Sequence, residues 1–154
     1  MQKGVLAGYP VVGLAADLYD GSYHDVDSNE LSFKMAASLA YKAGLPLAKP
    51  VLLEPIGELK VTIPDSVVGA VMGDINSKRR GTVLGSNPAE GKPGYTTIDA
   101  EVPKATMVEY TIDLRAMTQG KGSYSFYFVR YDEVPGSEAQ KIIAEAKANM
   151  SEED

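Results

Sequence analysis

The chain has 154 residues, a formal net charge of -6, no cysteine and a single histidine. This composition excludes disulfides, thiolate metal sites and histidine-rich zinc sites within one chain. No apolar run approaches the roughly 20 residues that span a bilayer, so we expect no membrane partner and a cytoplasmic location.

The first predicted elements frame a short polar loop. Residues 11–19 predict an apolar strand, and residues 29–43 predict a helix with an apolar residue at every fourth position. Asp27 and Glu30 have the spacing of a capping box, which places the helix start at about residue 28. We therefore expect a loop anchored on both sides. Its tip consists of Gly21, Ser22, Tyr23, His24 and Asp25.

The tip superficially offers catalytic chemistry, because His24 lies beside Ser22 and Asp25. Adjacent loop positions cannot all converge on one reacting atom, however, so we assign no catalytic residue and no metal ligand here. An exposed Tyr23 and His24 suit stacking and hydrogen bonding to a partner, for example to unstacked RNA bases. The tip is therefore interpreted as a binding element.

Residues 1–55 cannot enclose a core by themselves. They contain one helix and two predicted strands, the second of them at residues 51–53, and Pro55 is the predicted domain joint. Since a domain needs two packed layers, this part is interpreted as half of a domain. We expect its exposed apolar strand edges to favour self-association.

Residues 56–135 predict an α+β domain with the order βαββαβ. Strands are predicted at residues 58–63, 82–85, 95–102 and 123–131, and helices at 66–80 and 106–118. This order specifies a ferredoxin-like sandwich with two helices on one face of the sheet. Tyr124, Phe126 and Phe128 are expected in the core. Residues 136–154 then predict a C-terminal helix and an acidic tail.

Two basic segments are candidates for phosphate contact. Lys78, Arg79 and Arg80 follow a predicted helix, where cations equally complement the helix dipole. Lys121 lies between two glycines, which either stop a helix or form a backbone concavity for phosphate. Most of the net negative charge lies after residue 131, so it does not oppose such contacts. The chain contains no P-loop or dinucleotide-binding glycine motif.

Seven sequence blocks occur in the order found in one known family. They are Leu6–Val12, Asp20–Ser28, Pro50–Ile56, Gly73–Asn76, Asp113–Arg115, Thr118–Gly120 and Tyr131–Pro135. On these blocks the chain resembles the C-terminal part of bacterial elongation factor G, the GTPase that drives translocation on the ribosome. The resemblance covers nearly the whole chain.

The resemblance implies a division into three parts. Residues 1–55 would be the second half of domain IV, a partial ribosomal-protein-S5-like βαβ unit. Residues 56–135 would be domain V, and residues 136–154 the final helix and tail. The GTPase domain would be absent, so the chain itself would be no enzyme and hold no cofactor. GTP and magnesium would bind only in that missing domain of a GTP-hydrolysing parent.

The resemblance also implies the partners. In the family, domain IV reaches the decoding centre beside tRNA and mRNA on the 16S rRNA, and His24 matches the tip histidine. Domain V lies against the 23S rRNA and the stalk-base proteins, which makes Arg79, Arg80 and Lys121 candidates for rRNA contact, with Lys78 beside them. The implied function is promotion of tRNA and mRNA translocation by a ribosome-binding factor.

Some departures from the family pattern leave alternatives open. The segment Gly73–Gly81 is one residue longer than the family pattern, and Gly57 replaces a typical methionine. These changes suggest a paralogue, and they leave open two tasks for it, ordinary translocation or a specialised ribosome-associated one. A small-molecule-binding regulatory module or a protein-docking surface are the alternatives, since a ferredoxin-like fold does not determine function.

Overall fold

The computed structural model describes residues 2–151, which form two units. One unit contains residues 2–52 and 134–151, and the other contains residues 53–133. The helices are α1 (Glu30–Gly44), α2 (Val68–Ser77), α3 (Tyr110–Thr118) and α4 (Gly136–Ser151), and the strands are β1 (Leu53–Pro64), β2 (Thr82–Pro88), β3 (Tyr95–Pro103) and β4 (Ser123–Glu133). Short 3₁₀ turns cover Leu45–Ala48, Asp65–Val67 and Lys104–Met107.

The second unit is built on one antiparallel sheet with the strand order β2-β3-β1-β4. The long β1 lies at the centre, where Leu59 is opposite Ala100 on one side and Phe126 on the other. With α2 and α3 in the connections, the order is βαββαβ. The predicted ferredoxin-like α+β fold is confirmed.

The core lies on one face of this sheet. Leu59, Val61 and Ile63 alternate along β1 and are fully buried, whereas Lys60 between them is exposed. Burying each such aliphatic side chain contributes about 1.5–3 kcal/mol. Ten buried residues form the cluster, with both helices contributing, so α2 and α3 cover the same face. They are Leu59, Val61, Ile63, Val71, Ile75, Ile98, Ala100, Val102, Tyr110 and Leu114.

Strand β1 begins earlier than the sequence predicts. The separate strand predicted at residues 51–53 is wrong, because one continuous strand starts at Leu53 and passes through Pro55. Pro55 is opposite Tyr131 of β4, and pairing with β3 begins only at the next residue. A proline is tolerated there, since β1 has a neighbouring strand on one side only at that point.

The aromatic residues of β4 are only partly in the core. Phe126 is half-buried and packs on the cluster, but Tyr124 and Phe128 are 37% and 59% exposed, so the core position predicted for these two is wrong. The register shifts between Ile56 and Gly57, where β4 has one extra residue. This bulge lies at the edge of the sheet, a common place for such irregularities.

In the first unit, the predicted strand at residues 11–19 is wrong. The segment forms no strand, and Leu18 and Tyr19 are 95% and 96% exposed. A strand requires a partner, and no described residue pairs with this one.

Helix α1 is confirmed to within one residue at each end, yet none of its residues is buried. The apolar stripe on this helix therefore faces solvent within the described part of the chain.

Gly57 provides a test of the sheet packing. A Cβ atom added to Gly57 would overlap the ring of Phe126, which covers this glycine. We expect Gly57→Ala to lower the free energy of unfolding by about 1–3 kcal/mol, the usual cost of overpacking. Urea unfolding followed by circular dichroism measures it.

The control is Gly73→Ala in α2. Apart from the neighbouring backbone of α2 itself, no described atom lies within 4 Å of a Cβ placed there, and alanine favours helix by about 0.5–1 kcal/mol over glycine. This variant should be slightly more stable than the wild-type chain. Equal destabilisation of the two variants would contradict the packing assigned to Gly57.

Candidate nucleic-acid interface

The tip loop closes through a local turn. The backbone N–H of His24 donates to Ser28 Oγ at 2.8 Å, and the N–H of Ser28 donates back to the His24 carbonyl at 3.1 Å. Asp20 Oδ1 accepts from the N–H of Gly21. All five predicted tip residues are exposed, and Tyr23 is 63% exposed. The loop therefore presents an imidazole and a phenol ring to solvent.

The cap that follows the tip differs from the predicted capping box. Helix α1 is capped by Asn29, whose Oδ1 accepts from the N–H of Ser32 at 2.9 Å. Asp27 contributes its carbonyl to the hydroxyl of Ser32, and Glu30 pairs with Lys34. Asn29 has the same capping chemistry as Asp27 and lies directly before the helix. The tip is thus anchored on its helix side, but no strand anchors the other side.

Arg79 is a buried structural residue. Its side chain is only 2% exposed, and the guanidinium donates to Asp74 and Asp113 and to the carbonyls of Thr106 and Val108. The guanidinium also lies over the ring of Tyr110, 4.9 Å from its centroid. All these groups belong to the protein. Arg79 is therefore enclosed by protein groups in this structure and joins parts of the fold.

This network explains why α3 starts later than predicted. The carbonyls of Thr106 and Val108 accept from Arg79, so they are engaged outside the helix that the sequence predicts from residue 106. Glu109 then adopts a left-handed conformation with a positive φ of 65°, so the backbone changes direction directly before the helix. Helix α3 begins only at Tyr110. Burial raises the pKa of the Tyr110 hydroxyl above its usual value.

Arg80 is paired as well, but nearer the surface. Its guanidinium donates to both carboxylate oxygens of Glu54 at 2.9 Å, and its side chain is 30% exposed. The residue has a positive φ of 51°, and the following Gly81 donates its N–H to the carbonyl of Ile75. Arg80 thus takes the left-handed position that ends α2, a position that glycine usually occupies.

Lys78 is the most exposed member of the basic segment. Its ammonium donates to Asp113 Oδ2 at 2.6 Å, and its side chain is 59% exposed. The hydrogen bond from Lys78 is the main cause that holds the pKa of Asp113 below its usual value, and Arg79 adds to it. Three consecutive cations therefore occupy three different environments. No sequence pattern pointed to Asp113 as the shared counter-ion of Lys78 and Arg79.

The backbone around Lys121 is already satisfied. The N–H groups of Gly120, Lys121 and Gly122 donate to Arg115 O, Thr118 O and Thr118 Oγ1. The predicted alternative of a phosphate-binding backbone concavity therefore lacks free donors. The side chain of Lys121 is exposed and has no ion pair with any residue that the structure describes.

The sheet face opposite the helices carries an ion cluster that the sequence did not predict. Arg130 of β4 donates to both oxygens of Glu101 of β3 at 2.9 and 2.8 Å, and also to Asp132. The hydrogen bond to Glu101 raises the pKa of Arg130 and lowers that of Glu101. One cation faces two carboxylates here, so this cluster carries no excess positive charge.

Residues 2–151 lack two structural features. No helix there combines the length and apolarity needed to cross a bilayer. The same residues contain no cluster of three or more histidine, cysteine, aspartate or glutamate side chains arranged to hold a metal ion.

Comparison with known proteins identifies the class first. The family description "Elongation factor G, domain IV" matches residues 1–49, and "Elongation factor G C-terminus" matches residues 51–142. Both descriptions belong to a translation elongation factor. The α+β architecture of the described chain agrees with a crystal structure from Thermus thermophilus, with a TM-score of 0.78 and 48% identity over 96% of this chain and 22% of that one.

A curated relative gives the same result at the level of sequence. The chain is 50% identical over 151 residues to elongation factor G of Aquifex pyrophilus, which covers 98% of this chain and 21% of the relative. The chain therefore belongs to the elongation factor G family and corresponds to its C-terminal part. It spans about a fifth of the length of this relative. Neither matched region is described as a GTPase domain.

The buried position of Arg79 predicts a large effect on stability. We expect Arg79→Met to lower the free energy of unfolding by about 3 kcal/mol or more, because it leaves Asp74 and Asp113 without their buried partner. Arg79→Lys should recover part of this loss, since it keeps the charge but lacks the planar fork of donors. Urea unfolding measures both variants.

The matched control for Arg79 is Lys34→Ala, which removes an exposed ion pair with Glu30 on α1. Such pairs contribute about 0–1 kcal/mol, so this variant should unfold nearly as the wild-type chain does. A loss of similar size in Arg79→Met and Lys34→Ala would contradict the structural role of Arg79.

The Glu101–Arg130 pair predicts a pH dependence of stability. The pKa of Glu101 is lower in the folded chain, so its contribution is complete above the unfolded value of about 4.3 and is lost as pH falls through the folded value. Arg130→Gln should therefore lose less stability than the wild-type chain between about pH 5 and pH 3. Urea unfolding at several pH values measures the difference.

Arg115→Gln is the control, because Arg115 has no ion pair among the described residues. Its pH dependence should follow that of the wild-type chain. If Arg130→Gln follows the wild-type chain too, then Arg130 is not the group that lowers the pKa of Glu101.

Proposed function

We propose that this chain is the ribosome-binding C-terminal part of a GTP-hydrolysing elongation factor that promotes movement of tRNA and mRNA. Family membership over nearly the whole chain is the observation that carries the proposal. The parent would bind GTP and magnesium in a separate GTPase domain and would act in the cytoplasm. We retain residues 1–55, 56–135 and 136–154 as the proposed domain limits.

The proposed mechanism at the tip is steric and hydrogen-bonded. Tyr23 and His24 are exposed on a loop that Ser28 closes and that a capped helix supports. An aromatic ring and an imidazole so placed suit stacking on bases and hydrogen bonding to their edges. The tip would lie in the decoding centre on the 16S rRNA, where it holds the tRNA–mRNA duplex in its advanced position.

The proposed mechanism at the sandwich is electrostatic. Lys78 and Lys121 carry the exposed ammonium groups among the four predicted rRNA contacts, and Arg80 is partly exposed. We propose that these cations meet phosphates of the 23S rRNA near the stalk-base proteins. Arg79 is removed from this set because its guanidinium is buried within the protein.

Co-sedimentation with ribosomes tests the proposal directly. The full-length parent should pellet with ribosomes in the presence of a nonhydrolysable GTP analogue, and the pelleted fraction should fall as salt is raised. A parent that stays in the supernatant at low salt would refute ribosome binding.

The tip is tested in a translocation assay with the full-length parent. We expect His24→Ala to slow tRNA movement while leaving the rate of GTP hydrolysis unchanged, because the tip carries no part of the GTPase chemistry. Lys34→Ala, on the exposed face of α1, is the control and should affect neither rate. Parallel loss of both activities in His24→Ala would refute the role proposed for the tip.

A further inference from the structure

One carboxylate oxygen in the sandwich is shared by two cations of very different exposure. Asp113 Oδ2 accepts from Lys78 Nζ at 2.6 Å and from Nη2 of Arg79. The Lys78 side chain is 59% exposed, whereas that of Arg79 is 2% exposed. Asp113 itself is 27% exposed. The carboxylate therefore has one permanent partner inside the protein and one partner at its surface.

Arg80 offers the contrasting case within the same segment. Both oxygens of Glu54 are engaged by Arg80, and the Glu54 side chain is only 10% exposed. If the guanidinium turned away, it would give up both of these hydrogen bonds to a nearly buried carboxylate, which is costly. If Lys78 turns away, Asp113 is still held by Arg79. Lys78 is thus the cation that leaves at the lower cost.

We propose that Lys78 is an exchangeable phosphate-binding cation. In the unbound chain its ammonium is held by Asp113, which is the positioning residue. On binding, the ammonium gives up Asp113 and contacts an RNA phosphate. This inference rests on the proposed ribosome binding and names the residue pair that would control it. The partner class is the phosphate backbone of ribosomal RNA.

The chemistry of lysine supports the exchange. An ammonium is a compact charge with three rotatable donors on a flexible stem, so it can redirect its bonds without moving the backbone. An exposed ion pair is weak in water and is screened by salt, so giving it up for a phosphate costs little. Asp113 would oppose binding slightly, because a phosphate must replace it as the partner of Lys78.

The experiment measures binding of the full chain to purified bacterial large ribosomal subunits at fixed magnesium and several potassium chloride concentrations. Lys78→Ala should weaken binding and reduce the slope of log K against log salt by about 0.9, the value for one phosphate contact. Asp113→Asn should tighten binding about two- to fivefold, the factor that a weak exposed ion pair is worth.

Two controls separate this exchange from a general effect of charge. Lys60→Ala removes an exposed lysine on the opposite face of the sheet and should leave the affinity and the slope unchanged. Glu90→Gln removes an exposed negative charge elsewhere, in the loop between β2 and β3. In the Lys78→Ala background, Asp113→Asn should increase the affinity for the subunits no more than Glu90→Gln does.

The outcomes are distinct. If the wild-type chain does not bind the subunits even at low salt, both the proposed ribosome binding and this inference fail. If it binds and Lys78→Ala has wild-type affinity and slope, only the inference fails. Weaker binding with an unchanged slope would indicate a protein carboxylate as partner and would overturn the RNA assignment. Should Asp113→Asn unfold, the salt slope of Lys78→Ala decides alone.

Discussion

The guanidinium of Arg79 joins helix α2 to the link after β3 and to α3. It contacts the end of α2 through Asp74, the link after β3 through two carbonyls, and α3 through Asp113. A buried guanidinium requires acceptors for its donors, because an unpaired buried charge is strongly unfavourable. This requirement fixes where α3 begins. It also fixes the positions of Lys78 and Arg80, because these residues directly precede and follow the buried Arg79.

The sandwich could be predicted from the sequence because its signals are local. Leu59, Val61 and Ile63 alternate with polar residues, and this period of two specifies one buried face of a strand. The order of strands and helices then specifies the fold. In the first unit, local signals of this kind are not sufficient to determine the structure. Its apolar segment at residues 11–19 has strand composition, but a strand forms only where another strand pairs with it.

The candidate site could be predicted only as a set of residue types. Lys78, Arg79 and Arg80 are adjacent cations, and their different roles depend on Asp113, Asp74 and Glu54, which no local pattern connects to them. The helix cap illustrates the same limit on a smaller scale. Asp27 and Asn29 both have capping chemistry, and the choice between them is made by the position of the first helical turn. Exposure of the tip, in contrast, follows from its polar turn-forming sequence.

The close contact between Gly57 and Phe126 restricts which substitutions this fold accepts during evolution. The ring occupies the space that a side chain at position 57 would need, so the two positions share one fixed volume. A larger residue at position 57 would be accepted only together with a smaller one at position 126. The two positions, which lie on neighbouring strands, should therefore covary. A homologue with a bulky residue at position 57 should carry a small one at position 126.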